Sequence, residues 1–343
     1  MDISTKELPS ALKKVLKAGL VPFVSGMPGI AKSAIIKQLA IDYSLEFIDV
    51  RLSQLDNIDL SGLPTIINGK VEFIPPKDFP LDTDPIPEGK AGWLIFLDEF
   101  NAAAKSVEAA AYKILLDRKI GQHNLHPTVF MLAAGNRTGD RAIVNRLSTA
   151  TQSRLVHFNL AMQSDHWLEW AREADIDYRV TSFIEFQPSI LNSFKPSHSD
   201  NTFPCSRTWT FVSQLISGVE DITMDYLPIL AGTVGEGAAA QFKKFTEIFN
   251  ELPKIDSILR NPTSVDVPTE PGICYAVGGL VGHHLSVDTA DRLMKYIIRL
   301  PNDFQILTLR SALAKDKSLV KHKAIKTWIK TNGMQMLMEL NNV

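Results

Sequence analysis

Apolar positions in the first 160 residues fall into short runs, with helical periodicity between them. Stretches 20–25 (LVPFVS), 46–51 (EFIDVR), 93–97 (WLIFL), 128–134 (TVFMLAA) and 155–160 (LVHFNL) have strand length. The third is apolar throughout, as a strand buried on both faces should be. Within 32–43, Ile35, Ile36, Leu39 and Ala40 recur on one helical face, and 107–117 reads as another helix. Strands alternating with helices predict an α/β fold with a parallel sheet. Ahead of it, Leu8, Leu12, Val15 and Leu16 share the face of an amphipathic helix. A polar insertion occupies 53–90, and 65–73 reads as a hairpin turning at Asn68-Gly69. Beyond Leu160 the pattern is helical, with breaks at prolines such as Pro188, Pro204, Pro253 and Pro268. The expected domains are 1–160, an α/β core, and 161–343, all α.

The chain has 343 residues, 45% apolar and 22% charged, with a net charge of −2. That charge argues against holding nucleic acid by bulk electrostatics. Two widely spaced cysteines argue against a disulfide framework or a cysteine zinc site. No apolar run approaches the roughly 20 residues of a membrane span. A cytoplasmic protein is expected.

The segment GMPGIAKS at 26–33 follows the first strand and opens a helix. It departs from the usual phosphate loop, G-x-x-x-x-G-K-[ST], only in carrying Ala31 at the last glycine. Such a loop points consecutive backbone N–H groups at phosphates from a helix N-terminus. Residues Gly26, Met27, Pro28, Gly29, Ile30 and Ala31 form the expected cradle. Gly26 and Gly29 supply positive φ or close approach, and Ala31 is expected to take a helical backbone. Lys32 would reach the β- and γ-phosphates, and Ser33 would ligate Mg²⁺.

The strand WLIFLDEF ends on Asp98, expected to hold Mg²⁺ through water, and Glu99, expected to act as base or to position the attacking water. An adjacent glutamate favours hydrolysis over transfer. The strand ending AAGNR puts Asn136 at the carboxyl edge of the sheet, where ligands bind in open α/β folds. Arg154 stands before the fifth strand, placed to reach a neighbouring copy's nucleotide rather than its own, and Arg146 and Arg141 are weaker candidates. Arg207, in CSRTW, opens a helix of the second domain, from which it could swing onto the γ-phosphate. Trp209 and Phe211 read as core. The bland alternatives are a chance Gly/Pro turn with an exposed lysine, a solvated Asp-Glu turn, an ordinary turn asparagine, and surface-paired arginines.

Together GMPGIAKS, WLIFLDEFNAA, MLAAGNR, Arg154 and SRTW with Arg207 resemble the AAA+ ATPases, and within them the MoxR-like branch, in which the alanine before the lysine is common. The stretches QLDNIDLSGLP…NGKVEFIPP and LLDRKIGQHNLHPTVFMLAAGN resemble that branch's two hairpins, near 53–90 and 119–128. The resemblance covers about 20–212 and implies an AAA+ P-loop core, a helical lid, ATP with Mg²⁺, and a ring, commonly hexameric. It also implies remodelling of a protein target, often with a partner bearing a von Willebrand factor A domain. The best candidates for loops lining the ring are 66–73 and 121–126. No guanine signature, Asn-Lys-x-Asp, is present, which favours adenine. Two other readings compete: a nucleic-acid motor or restriction-type subunit, supported only by a basic amphipathic helix expected over 315–330, and a slow nucleotide-binding scaffold. His123 and His126, and His283 with His284, have no carboxylate or cysteine companions and read as non-metal positions.

Overall fold

A computed structural model describes residues 2–137, 139–140, 144–194 and 200–341. The chain divides into two compact units, with the break between Met162 and Gln163.

The first unit is built on a six-stranded, wholly parallel sheet. Its strands are β1 (Asp2–Ser4), β2 (Val21–Ser25), β3 (Leu45–Arg51), β6 (Gly92–Asp98), β9 (Val129–Gly135) and β10 (Leu155–Ala161). Their spatial order is β1-β10-β2-β9-β6-β3. The helices are α1 (Leu8–Lys17), α2 (Lys32–Asp42), α3 (Asn57–Ser61), α4 (Lys105–Asp117) and α5 (Thr149–Gln152). Two hairpins leave the sheet, β4 (Leu63–Ile67) with β5 (Lys70–Ile74), and β7 (Lys119–Ile120) with β8 (His123–Asn124).

Strand alternation explains the layers. On β6, Trp93, Ile95 and Leu97 pack on the side of α4 with Val107, Ala111 and Ile114. Leu94 and Phe96 pack on the other side, with Leu8 and Leu12 of α1 and Ile36 and Leu39 of α2. Both faces of β6 are therefore covered, which accounts for its unbroken apolar run. The first hairpin turns where expected, with Asn68 at φ 52° and Gly69 at φ 74°, the left-handed pair that a tight two-residue turn needs. β1 has no counterpart in the hydrophobic pattern: three residues pair in parallel with β10, Asp2 opposite Asn159 and Ser4 opposite Ala161.

The second unit is all helical: α6 (Ser164–Glu173), α7 (Tyr178–Phe186), α8 (Ser206–Leu215), α9 (Leu227–Val234), α10 (Glu236–Glu251), α11 (Ile255–Arg260), α12 (Pro271–His284), α13 (Ala290–Ile297), α14 (Asn302–Lys315) and α15 (Lys323–Asn341). An aromatic cluster of Phe183, Trp209, Phe242 and Phe245 fills its centre. Phe211 corrects an expectation. It is 45% exposed, because it lies two residues, about 200° of helical turn, beyond buried Trp209 on α8. The basic stretch 315–330 is also not one helix. It comprises the end of α14, a 3-10 turn over Lys317–Lys321 that Asp316 caps through the Ser318 N–H, and the start of α15. The architecture is the one expected: a wholly parallel sheet with helices on both faces, then an all-α unit.

Candidate nucleotide site

Four segments meet at the carboxyl edge of the sheet in the first unit: the loop between β2 and α2, the end of β6, the end of β9, and the turn after β3. Gly26 leaves β2 with its N–H donating to Gly135 O at 3.3 Å. A Cβ at Gly26 would displace Ile30 Cδ1 and press on Leu160 O at 3.3 Å, so the site favours a residue without a side chain. Gly29 is needed for conformation, at φ 76°.

Ala31 departs from the expectation. Its backbone is left-handed, φ 65° and ψ 24°, not helical. The conformation is one a glycine would hold without strain, and the Ala31 carbonyl still accepts the Ile35 N–H at 3.0 Å to start α2.

Lys32 is only 8% exposed. Its ammonium donates to Gly26 O at 2.9 Å, Met27 O at 3.1 Å and Asn136 Oδ1 at 3.2 Å. Lys32 and Asn136, 104 residues apart, thus touch. Ser33 Oγ donates to Asp98 Oδ2 at 3.0 Å. Asp98 is opposite Arg51 in the β3–β6 ladder. Asp98 Oδ1 accepts the Glu99 N–H at 2.8 Å. Glu99 is left-handed at φ 54°, and its carboxylate accepts a hydrogen bond from Ser53 Oγ.

The local electrostatics are acidic. Asp49 on β3 has its carboxyl raised above the usual range, first by burial. Arg51 opposes that shift, while Asp98 and Glu99 add to it. Asp49 and Arg51 approach to 3.7 Å. The hydroxyl and carboxylate oxygens of Ser33 and Asp98 suit a small hard cation that completes its shell with water and phosphate oxygens, as Mg²⁺ does. Among the described residues no group of three or more His, Cys, Asp or Glu is arranged to hold a metal. His123 Nε2 instead meets Phe73 O at 3.2 Å, and the His126 ring packs at a tilt of 59° against Trp93.

Arg154 is exposed just before β10. Its Nη1 donates to Ala150 O at 2.9 Å, and its guanidinium lies 5.1 Å from the Tyr112 ring centre. Arg207 is the second residue of α8 in the helical unit and is exposed. Arg146 is exposed, with its carbonyl accepting from Lys105 at 3.2 Å. Arg141 lies outside the described residues. In the basic stretch, Lys315 pairs with Asp175 at 2.9 Å and Lys317 with Glu173 at 3.6 Å.

Two residues here have no role assigned from the sequence, although Asn101 falls within the matching stretch WLIFLDEFNAA. Ser53 is one, and its partner Glu99 is 46 residues away. Asn101 is the other. It is 5% exposed, in a 3-10 turn directly after Glu99. Asn101 and Asn136 also line a cavity of about 820 Å³, with Ser25, Arg137, Asn145 and His157 among its other walls. None of residues 26–33 lines it, consistent with Lys32 being folded onto its own loop.

No protein-family model matches the chain, and no curated protein matches it. Among solved structures the chain is similar to a point mutant of RuvB from Thermotoga maritima. Identity is 15% and TM-score 0.38, over 86% of this chain and 88% of that one. It is similar to the RuvB Holliday junction branch migration motor of the same organism, at 15% identity and TM-score 0.37, over 86% of each chain. It is also similar to an inferred ATPase from Cytophaga hutchinsonii, at 16% identity and TM-score 0.39, over 96% of this chain and 89% of that one. What the site can do is therefore set by this chain's own residues.

Proposed function

We propose that the chain is an ATP-hydrolysing AAA+ ring ATPase of MoxR type, coupling ATP binding and hydrolysis to the remodelling or activation of a protein partner. One observation carries the reading: Lys32 meets Asn136 while Ser33, the next residue, meets Asp98, beside Glu99. A lysine, a hydroxyl–carboxylate pair, a second carboxylate and an amide at a helix N-terminus are the parts that phosphoryl transfer to water requires.

Each residue then has a role. The N–H groups of 26–33 cradle phosphates, for which Lys32 exchanges its loop carbonyls. Ser33, and Asp98 through water, would hold Mg²⁺, and the ion would neutralise charge on the phosphate oxygens. Glu99 orients and deprotonates the attacking water, and Asn136 fixes the water or the γ-phosphate. Arg154 serves the pocket of the next copy in the ring, and Arg207 carries nucleotide state to the helical unit. Loss of the γ-phosphate removes several charge-assisted hydrogen bonds, enough to bias a two-state closure.

The test is phosphate release as a function of protein concentration, for the native chain and Arg154→Ala. The expected result is a specific rate that rises with concentration as rings form and falls on the order of 10³-fold in the variant. Full-speed hydrolysis by a dilute monomer, or by Arg154→Ala, would overturn the ring reading.

A further inference from the structure

The side-chain amide of Asn101 makes a two-point clamp on the backbone of Asn136. Asn101 Nδ2 donates to Asn136 O at 2.7 Å, and Asn101 Oδ1 accepts the Asn136 N–H at 3.2 Å. Because one partner is an obligate donor and the other an obligate acceptor, the orientation of the amide is fixed by the backbone it grips. The preceding residue makes room: a Cβ on Gly135 would collide with Asn101 Oδ1 and Cγ. Gly135 has an ordinary φ, so its missing side chain answers to the amide rather than to a turn.

The other end of Asn101 is occupied too. Its carbonyl accepts the Asn145 N–H at 2.6 Å, and Asn145 Nδ2 donates to Ala103 O at 3.0 Å. One buried residue thus joins the turn carrying Glu99, the strand end carrying Asn136, and the segment that leads through α5 to Arg154.

We propose that Asn101 is a positioning residue for nucleotide hydrolysis: it holds the Asn136 backbone so that the Asn136 amide stays against Lys32. Its catalytic consequence rests on the ATPase reading above; the clamp itself does not. A buried neutral amide gripping two backbone groups confers geometry rather than charge, and displacement of a reacting group by about 1 Å costs on the order of 100-fold in rate.

Two variants attack the clamp from opposite sides. Asn101→Ala removes the amide. Gly135→Ala leaves Asn101 intact and pushes its amide away with a methyl group. Asn101→Asp keeps an acceptor for the Asn136 N–H but turns a carboxylate oxygen on the Asn136 carbonyl, so it should not rescue. The first readout is hydrogen exchange without nucleotide: both Asn101→Ala and Gly135→Ala should speed exchange of the Asn136 amide by about tenfold. The second is steady-state kinetics: kcat should fall about 10- to 100-fold in both, with KM for ATP within about threefold of native.

If Asn136 exchange is unchanged in two folded variants, the clamp is wrong, whatever the protein hydrolyses. If exchange rises but kcat does not move, or if KM carries the loss, the positioning role is overturned. If the native chain hydrolyses no nucleotide, the ATPase reading fails, and the exchange result still decides the clamp.

Discussion

Ser33 Oγ and Asp98 Oδ2, 65 residues apart in sequence, lie 3.0 Å from one another and tie the first turn of α2 to the end of β6. The pair is the cation-holding element of the proposed site. Asp98→Asn keeps the shape and removes the charge. Phosphate release measured across a Mg²⁺ titration should fall by about 100-fold or more, since a bound metal supplies several kcal/mol to the transition state. A variant with native rate and native Mg²⁺ dependence would remove Asp98 from the site.

Glu99→Gln should bind ATP and barely hydrolyse it. A positioned general base is worth about 10²–10⁴ in rate, while a glutamine leaves the surrounding packing unchanged. Fluorescent-nucleotide binding alongside single-turnover hydrolysis separates the two properties. Normal turnover would show that another group handles the water.

Ala31 sits in a left-handed conformation that costs an L-residue roughly 1–2 kcal/mol, against about 0.5–1 kcal/mol of extra chain entropy for glycine. Ala31→Gly should therefore stabilise the first unit slightly, by about 0.5–1 kcal/mol, and raise its thermal midpoint by about 1–4 °C. Nucleotide binding should survive. A lower midpoint in calorimetry would mean that the methyl contributes packing.

In the helical unit Arg172 and Glu185 form a buried ion pair. Burial pushes the Glu185 carboxyl up, with Arg172 and Arg310 pulling it down. Arg172→Met leaves the carboxylate without its partner and should destabilise the unit by about 3–5 kcal/mol near pH 7. A carboxyl whose folded-state value is raised contributes stability that is complete below its unfolded value, 4.5, and lost as pH rises through the folded one. The variant should accordingly regain stability on acidification, measured by urea unfolding at pH 7 and pH 5. A pH-independent loss would point to packing alone.

Much of the first unit is legible in the sequence because its signals are local. The apolar run 93–97 needs no distant information to read as a strand covered on both sides, and Asn68-Gly69 encodes its own turn. The loop at 26–33 carries its chemistry in eight consecutive residues. What cannot be read depends on partners far along the chain. β1 is three residues whose only reason to be extended is β10. Asn101 looks like any asparagine after an acidic pair until Asn136 and Gly135 are brought beside it. Ser53 lies in an insertion with no periodicity, and its role emerges only with Glu99 opposite. The motif misleads at Ala31 because it gives residue types and not dihedral angles. Phe211 misleads because its neighbour Trp209 is buried, and nearby aromatics on a helix need not share a face.

The two hairpins are joined at Phe73. A Cβ on Gly121 of the second hairpin would meet Ser61 O at 2.8 Å and Phe73 Cβ at 3.2 Å, and the Phe73 carbonyl meets His123 Nε2 at 3.2 Å. Behind that contact, the Leu125 N–H donates to Arg118 O at 2.8 Å, at the C-terminal end of α4. Ile66, 76% exposed at the outer end of the first hairpin, thus belongs to a chain of contacts that reaches the C-terminal end of α4, a helix whose first residue comes four after Asn101. A load applied at the Ile66 tip would therefore fall first on the second hairpin and on the C-terminal end of α4.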